Sequence, residues 1–266
     1  MNEIKITILG NGYIEPEIQE EDYVLGDGNL VGEVLQPNGQ WDAFLPDPEL
    51  QKKRDIETSN CTGFNTLEPI EILLKRKYGG VHNYSERFVG IAAGTYPPGN
   101  DPHKVAEAIR KQGLVNESVL SFSDDIVDVD MYYSPKPLTQ SLVQRGKEWL
   151  FWYDFKHDYV FQKGIPIAEK RKYMMEALKY SPLAASVFAW AENDGIYVKV
   201  GRDNHWTTIY GYKRGEYWKV FDSYEPHLKK LEWNYDFGIA KRYSIIKHGS
   251  TTKKSWLQTL RLLLKI

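Results

Sequence analysis

The sequence has 266 residues but only one cysteine, Cys61, and a formal net charge of only −2. A single cysteine cannot form an internal disulfide, which is typical of proteins in reducing compartments, and any thiol chemistry must use Cys61. A helix that spans a membrane needs about 20 apolar residues, and the sequence has no such run. The near-neutral charge argues against a dedicated nucleic-acid-binding protein. We recognise no pattern that requires a metal ion or another cofactor.

The N-terminus also lacks a basic segment followed by an apolar stretch, so a secretory signal is not expected. The charges are unevenly spread: residues 1–60 carry 13 acidic and 4 basic side chains, whereas residues 237–266 carry seven Lys or Arg and no acid. Either these two ends are solvated and attract each other weakly, or each docks on a different partner.

Three parts are expected along the chain. Residues 1–50 are an acidic arm with many turn signals and no helical periodicity, which favours an extended segment with short strands. Residues 51–250 form the main domain, with a helical lobe over 51–135 and a β-rich lobe over 136–250. Residues 251–266 are an amphipathic tail, a candidate helix that packs on its own domain, on a partner protein or on a lipid surface. Its apolar side chains are Trp256, Leu260, Leu263 and Leu264, and its charged ones include Arg261 and Lys265.

The first part of the main domain has helical periodicity and the second part has strand composition. Helices are predicted from Cys61 to a stop at Gly79-Gly80, with a kink or break at Pro69, and over 85–93. A third helix is capped by Asp101 and ends near Gly113. Two weaker helices are predicted over 138–144 and 168–180. Strands rich in Val, Ile, Tyr, Phe and Trp are predicted over 185–190, 195–200, 206–212, 217–221 and 239–246, so the fold class is α+β in two lobes.

Cys61 precedes the first predicted helix. A thiol at a helix N-terminus lies at the positive end of the helix dipole, which favours the nucleophilic thiolate. The alternative is that Cys61 is a small buried apolar residue, the usual role of a free cysteine.

A catalytic thiol needs a base, and the base needs a residue that orients it. His205 opens one predicted strand, and Asp222 ends the next. Since the turn between these strands spans only residues 213–216, a hairpin would place His205 beside Asp222. The alternative is an ordinary polar pair at the open end of a hairpin.

These residues resemble the papain family of cysteine peptidases. The family has Asn-His, five residues, Gly-Tyr, a strand with Trp, and then Asn-Ser-Trp; this chain has Asn204-His205, Gly211-Tyr212, Trp218 and Asp222-Ser223-Tyr224. Phe64 lies at the third position after Cys61, as in the family. The separation from Cys61 to His205 is 205 − 61 = 144 residues, within the papain-like range of about 130–150. The resemblance implies a two-lobe fold and a Cys61, His205 and Asp222 triad.

Three positions depart from the family pattern. Thr62 replaces the usual aromatic residue, and Asp222 replaces the usual Asn. The glutamine of the oxyanion hole is expected six residues before the cysteine, where this chain has Asp55, so Gln51 is the nearest candidate. The resemblance also suggests that the segment with Gly94 and Gly99 forms a wall of the substrate cleft. The alternative is that this segment is a plain turn. Trp206 is a further candidate residue of the cleft.

A second resemblance is to uncharacterised papain-like proteins of tailed bacteriophages and prophages. It rests on residues 83–88, residues 99–106 and the Asp222-Ser223-Tyr224 end. It implies a phage product in the host cytoplasm or in the virion, with peptides or amides as substrates and possible contacts of the arm and tail with other virion proteins. Three functions stay open: a peptidase, an amidase or endopeptidase for cell-wall crosslinks (or an acyl transferase), and a structural virion protein that retains the triad by descent.

Overall fold

The computed structural model describes residues 4–7, 12–18, 22 and 32–248. The predicted amphipathic tail lies outside these residues and stays a prediction. No helix within the described part is both long enough and apolar enough to cross a membrane.

Helices dominate the first half of the described chain, as the sequence predicts. The helix predicted over 138–144 begins at Gln140 and continues to Trp152, and it packs against the helix Pro102–Gln112 and the strand that follows it. Two short 3-10 helices, Asp42–Phe44 and Glu117–Val119, lie in connecting segments. The α-helices are α1 (Cys61–Tyr78), α2 (Glu86–Ala92), α3 (Pro102–Gln112), α4 (Val129–Tyr132), α5 (Gln140–Trp152) and α6 (Ile167–Ala177).

Helix α1 is continuous through Pro69, so of the predicted kink or break, the break is wrong. Proline inside a helix costs about 3 kcal/mol, since it removes a backbone donor and crowds the preceding turn. Every residue of α1 up to Leu74 is buried. The helix packs against α2, α3 and three strands of the second lobe. This tertiary packing outweighs the local preference.

The local caps of α3 and α2 follow the sequence. Asp101 Oδ1 accepts a hydrogen bond from the backbone N–H of His103 (2.7 Å), and Pro102 takes the first helical position. Ser85 Oγ accepts from the backbone N–H of Phe88 (2.9 Å). These caps satisfy donors that have no partner within the helix, so they define where each helix begins.

A nine-stranded sheet forms the second lobe. Its order is β1-β6-β7-β10-β9-β8-β5-β11-β4, and a separate hairpin joins β2 to β3. The strands are β1 (Lys5–Ile6), β2 (Lys52–Lys53), β3 (Ile56–Glu57), β4 (Tyr153–Tyr159), β5 (Leu183–Val187), β6 (Ala191–Asn193), β7 (Ile196–Tyr197), β8 (His205–Lys213), β9 (Tyr217–Phe221), β10 (Leu228–Glu232) and β11 (Ala240–Lys247).

The α+β class is confirmed, and so is the hairpin of β8 and β9. Strands β4 and β10 were not predicted. Their sequences, YDFKHDY and LKKLE, contain charged residues at positions that face the interior. The short β1 belongs to the N-terminal arm, and it pairs with β6 through Lys5 opposite Glu192 and Ile6 opposite Ala191. Part of the arm therefore completes one edge of the sheet.

The carboxylate of Glu49 and those of Glu86 and Glu117 in the helical lobe lie within 4.8 Å of one another. Burial and then the charge of Glu49 raise the pKa of Glu117 to about 7. Because the folded protein binds this proton more tightly than the unfolded chain, the stability that Glu117 contributes is present below pH ~4.5 and is lost as the pH rises through ~7.

We expect Glu117→Gln to remove this dependence. We compare the free energy of unfolding of Glu117→Gln with that of the wild type at pH 4.5 and at pH 7.5. The variant minus wild-type difference should be roughly 1–2 kcal/mol more positive at pH 7.5. Urea denaturation of both proteins at each pH measures it. Subtracting the wild type cancels the opposite effect of His157, whose pKa burial lowers to about 3. A constant difference between the proteins would contradict the prediction.

Candidate active site

Cys61 is the first residue of α1 and is fully buried. The predicted position at a helix N-terminus is therefore confirmed. Helix α1 packs against β8, and the backbone of Trp206, the residue after His205, lowers the pKa of the Cys61 thiol. The start of β8 thus lies close to Cys61, and the two lobes meet there.

His205 and Asp222 lie side by side, as the hairpin predicts. The distance from His205 Nε2 to Asp222 Oδ1 is 2.6 Å, and both side chains are completely buried. Thr207 Oγ1 donates to the same carboxylate oxygen (2.9 Å). Among the described residues, His205 Nδ1 has no hydrogen-bond partner. The carboxylate therefore engages one ring nitrogen and leaves the other available to a thiol.

Two aromatic rings enclose the imidazole of His205. The ring of Trp190 lies 5.5 Å from it at 73°, and that of Tyr224 lies 5.2 Å from it at 43°. The phenol of Tyr224 donates to Glu57 Oε2 (2.8 Å), which fixes its ring. The enclosure limits the rotation of the imidazole and keeps water from the bond between His205 and Asp222.

A segment of the N-terminal arm covers Cys61. The Cα of Gly12 is so close that a Cβ there would lie 2.6 Å from Cys61 Sγ and 2.8 Å from the carbonyl oxygen of Ser59. The next residue, Tyr13, stacks on Trp206 with ring centroids 5.9 Å apart and an interplanar angle of 2°. A residue with a side chain could not take the place of Gly12 without a shift of the backbone.

The opposite side of this segment is bonded to residues 99–100. Asn100 N donates to Gly12 O (3.1 Å), Ile14 N donates to Asn100 O (2.9 Å), and Tyr13 forms a parallel bridge with Asn100. A Cβ at Gly99, whose φ is +138°, would overlap the Gly12 carbonyl oxygen. The Gly12 carbonyl is thus bound to Asn100. The arm passes over Cys61 with the Cα of Gly12 next to the thiol sulfur.

This arrangement affects the protonation of Cys61. Burial raises the pKa of the thiol far above its ordinary value, whereas the backbone N–H of Trp206 lowers it. The N-terminus of α1 stabilises the thiolate, whereas the burial of the sulfur destabilises it. Burial therefore favours the neutral thiol in the covered form.

Gln51, the candidate oxyanion donor, is fully buried near the same end of the hairpin. Its Nε2 donates to Glu57 Oε1 (2.9 Å) and to Tyr224 Oη (2.6 Å). Its Oε1 accepts from Ser223 Oγ (2.7 Å). Both hydrogens of the amide are engaged, so one of these bonds must break before Gln51 can donate to an oxyanion. The role of Gln51 stays a prediction.

The structure separates the three predicted cleft residues. Gly99 and Trp206 both contact the arm segment over Cys61. Gly94 lies in the exposed turn after α2, where its N–H donates to Ile91 O (3.1 Å). Of the three, only Gly99 and Trp206 are brought together beside the thiol.

Two features of the site were missed by the sequence analysis. Lys229 donates to Asp222 Oδ2 (2.8 Å) and is almost fully buried. The only signal was strand alternation, which places Lys229 on the same face as Leu231. The position of Gly12 over Cys61 had no sequence signal, because the contact joins residues 49 positions apart (61 − 12).

No family model matches the sequence, and no curated protein matches it. Solved structures do match. Digestive procathepsin L 3 of Tenebrio molitor larval midgut has a TM-score of 0.54 at 13% identity, over 80% of this chain and 75% of that one.

A second similar structure is the bromelain protease from Ananas comosus in complex with the E64 inhibitor. Its TM-score is 0.55 at 16% identity, over 77% of this chain and 97% of that chain. Identities this low show similarity of fold. Together with the helical lobe and the sheet described above, these matches show that the chain has a papain-like fold.

Proposed function

We propose that the protein is a thiol-dependent hydrolase of peptide or amide bonds. The observation that carries this proposal is the His205 ring, held at 2.6 Å by Asp222, while its other nitrogen has no hydrogen-bond partner in the described part of the chain. The packing of α1, which begins at Cys61, against β8, which begins at His205, supports it further. A buried imidazole oriented in this way is a suitable base for a neighbouring thiol.

In the proposed reaction, Cys61 transfers its proton to His205 Nδ1 and its sulfur attacks the carbonyl carbon of the substrate. His205 then protonates the leaving amine, and water hydrolyses the resulting thioester. Asp222 holds the imidazole in place throughout. The backbone N–H of Cys61, together with Gln51 once released from its present partners, would stabilise the oxyanion.

The arm segment over Cys61 has to move before a substrate can bind. The covered cleft and the fully bonded Gln51 also favour a second candidate, a papain-like protein with a structural role in a virion. The sequence resemblance alone supports a phage setting, a location in the host cytoplasm or virion, and virion partners for the arm and tail. A cell-wall crosslink is a further candidate substrate for the same triad.

Reaction with E64, the inhibitor in the bromelain structure, tests the proposed function. We expect Gly12→Ala, in which the cleft is opened, to gain the mass of one E64 at Cys61, and the same protein with Cys61→Ser to gain none. The opened protein should also hydrolyse casein or purified peptidoglycan, and the preferred substrate separates peptidase from cell-wall enzyme. An opened, folded protein that neither reacts nor hydrolyses would support the structural role.

A further inference from the structure

A buried lysine on β10 lies behind the proposed triad. Lys229 is 4% exposed, although lysines are almost never this buried unless they are paired. Its strand pairs with β9, and the register places Lys229 opposite Val220, two residues before Asp222. The side chain can therefore reach the carboxylate from the side away from His205.

All three hydrogens of the Lys229 ammonium have acceptors. Nζ lies 2.8 Å from Asp222 Oδ2, 2.6 Å from Tyr224 O and 2.6 Å from Pro226 O. It also lies 4.9 Å from the ring centroid of Trp190, which encloses His205 as well. The contacts order the turn that carries Asp222 and Tyr224.

The two oxygens of Asp222 have separate partners. Oδ1 faces His205 and Thr207, whereas Oδ2 faces Lys229. Burial alone would raise the pKa of Asp222, but the charges of Lys229 and then of His205 hold that pKa below its ordinary range. Further groups that interact with Asp222 electrostatically are Cys61, Glu68, Tyr197 and Tyr224, and the His227 ring contacts its backbone carbonyl (2.8 Å).

We propose that Lys229 is a positioning residue of this site, which holds Asp222 with one oxygen toward His205 and neutralises its charge. The inference rests on the proposed function. The pair of Asp222 and Lys229 has no net charge, so it orients the imidazole much as a neutral acceptor would. A buried aspartate alone would stabilise the imidazolium more strongly and would oppose the transfer of its proton to a leaving group.

The pH dependence of alkylation of Cys61 by iodoacetamide tests this role. A working pair of Cys61 and His205 reacts at pH values well below the pKa of about 8.5 of a free thiol. Loss of the positive charge at Lys229 disfavours the thiolate and favours the imidazolium. In Lys229→Met, the pH at which Cys61 ionises and the pH at which His205 loses its proton should therefore both rise by about one to two pH units. Lys229→Arg, which keeps the charge, should stay near the wild-type profile.

A second background keeps the test valid if Lys229→Met does not fold. Asp222→Asn removes the negative charge but keeps an acceptor for His205. The double variant Asp222→Asn with Lys229→Met has a neutral acceptor without a counter-charge, so its profile should lie near that of the wild type. Asp222→Asn alone should lie about one to two pH units lower than the double variant.

The outcomes separate the two proposals. A thiol that reacts only above pH ~8 in both the wild type and the opened Gly12→Ala protein, with the same profile when His205→Ala is added, would overturn the proposed function and this inference together. A low-pH reaction in either protein, with profiles that do not change when Lys229 is removed from it or from its Asp222→Asn variant, would overturn the role of Lys229 alone. Circular dichroism of every variant confirms that the compared proteins are folded.

Discussion

Gly12→Ala is expected to raise the rate of alkylation of Cys61 by about tenfold to a hundredfold. Its methyl group would lie 2.6 Å from Cys61 Sγ and 2.8 Å from the Ser59 carbonyl oxygen, so the segment over the thiol cannot keep its position. The segment is held by two backbone hydrogen bonds to Asn100 and by the burial of Tyr13. Such hydrogen bonds contribute about 0.5–1.5 kcal/mol each, and about 1.4 kcal/mol corresponds to a factor of ten in the open population.

Gly32→Ala is the matched control for this variant. A Cβ at Gly32 meets only the ring of Tyr180, at an ordinary 3.5 Å. The same glycine-to-alanine change in the N-terminal part should therefore leave the rate of alkylation as in the wild type. Pseudo-first-order rates with iodoacetamide at pH 7, followed by mass spectrometry, measure all three proteins. Equal rates for Gly12→Ala and Gly32→Ala would show that the arm does not limit access to the thiol.

Asp222→Ala is expected to lower the free energy of unfolding by about 3–5 kcal/mol, because it leaves a buried charge without its partner. Lys229 is 4% exposed and donates to three oxygens, of which only the carboxylate oxygen carries a charge. His205 and Thr207 lose the same acceptor. Urea denaturation at pH 7 measures the loss.

Two further variants show whether the unpaired charge is the cause. Asp222→Asn keeps an acceptor for His205 and should cost clearly less than Asp222→Ala. Combining Asp222→Ala with Lys229→Met removes the stranded ammonium and should recover part of the lost stability. A loss under about 1 kcal/mol for Asp222→Ala would mean that water reaches Lys229 and replaces the carboxylate, against its observed burial.

The sequence predicts the position of the candidate site because its residues lie on locally determined elements. The hairpin that joins His205 to Asp222 has a short turn and two strands with clear β composition. The helix that begins at Cys61 has apolar residues at helical spacing and ends before Gly79 as predicted. Helices come first in the chain and strands second, as in the papain family, so the lobe with Cys61 packs against the lobe with His205 and Asp222.

The features that were missed or wrong depend on contacts between distant parts of the chain. Local rules favour a break at Pro69, but burial of α1 on several sides keeps the helix continuous. Lys229 was not identified because a lysine in a charged strand is usually exposed. Its burial depends on Asp222 and on the carbonyl groups of a turn, which no local pattern reveals.

The spacing of Gln51 has a structural explanation. The family pattern led us to expect a glutamine six residues before Cys61, whereas Gln51 lies ten residues before it. The small hairpin of β2 and β3 occupies the intervening residues and pairs Lys52 with Glu57. It returns the chain so that Gln51 O accepts from Thr58 Oγ1 (2.8 Å). The extra residues thus loop out while Gln51 stays near the base of α1.

The segment that covers Cys61 also bears on the chemical lifetime of the protein. An exposed thiolate is oxidised to a sulfenic acid, which a second thiol can rescue as a disulfide before irreversible oxidation follows. This chain has no second cysteine, so an oxidised Cys61 has no resolving partner within it. The Gly12 backbone over the buried sulfur therefore protects a thiol whose oxidation no second cysteine of this chain can reverse.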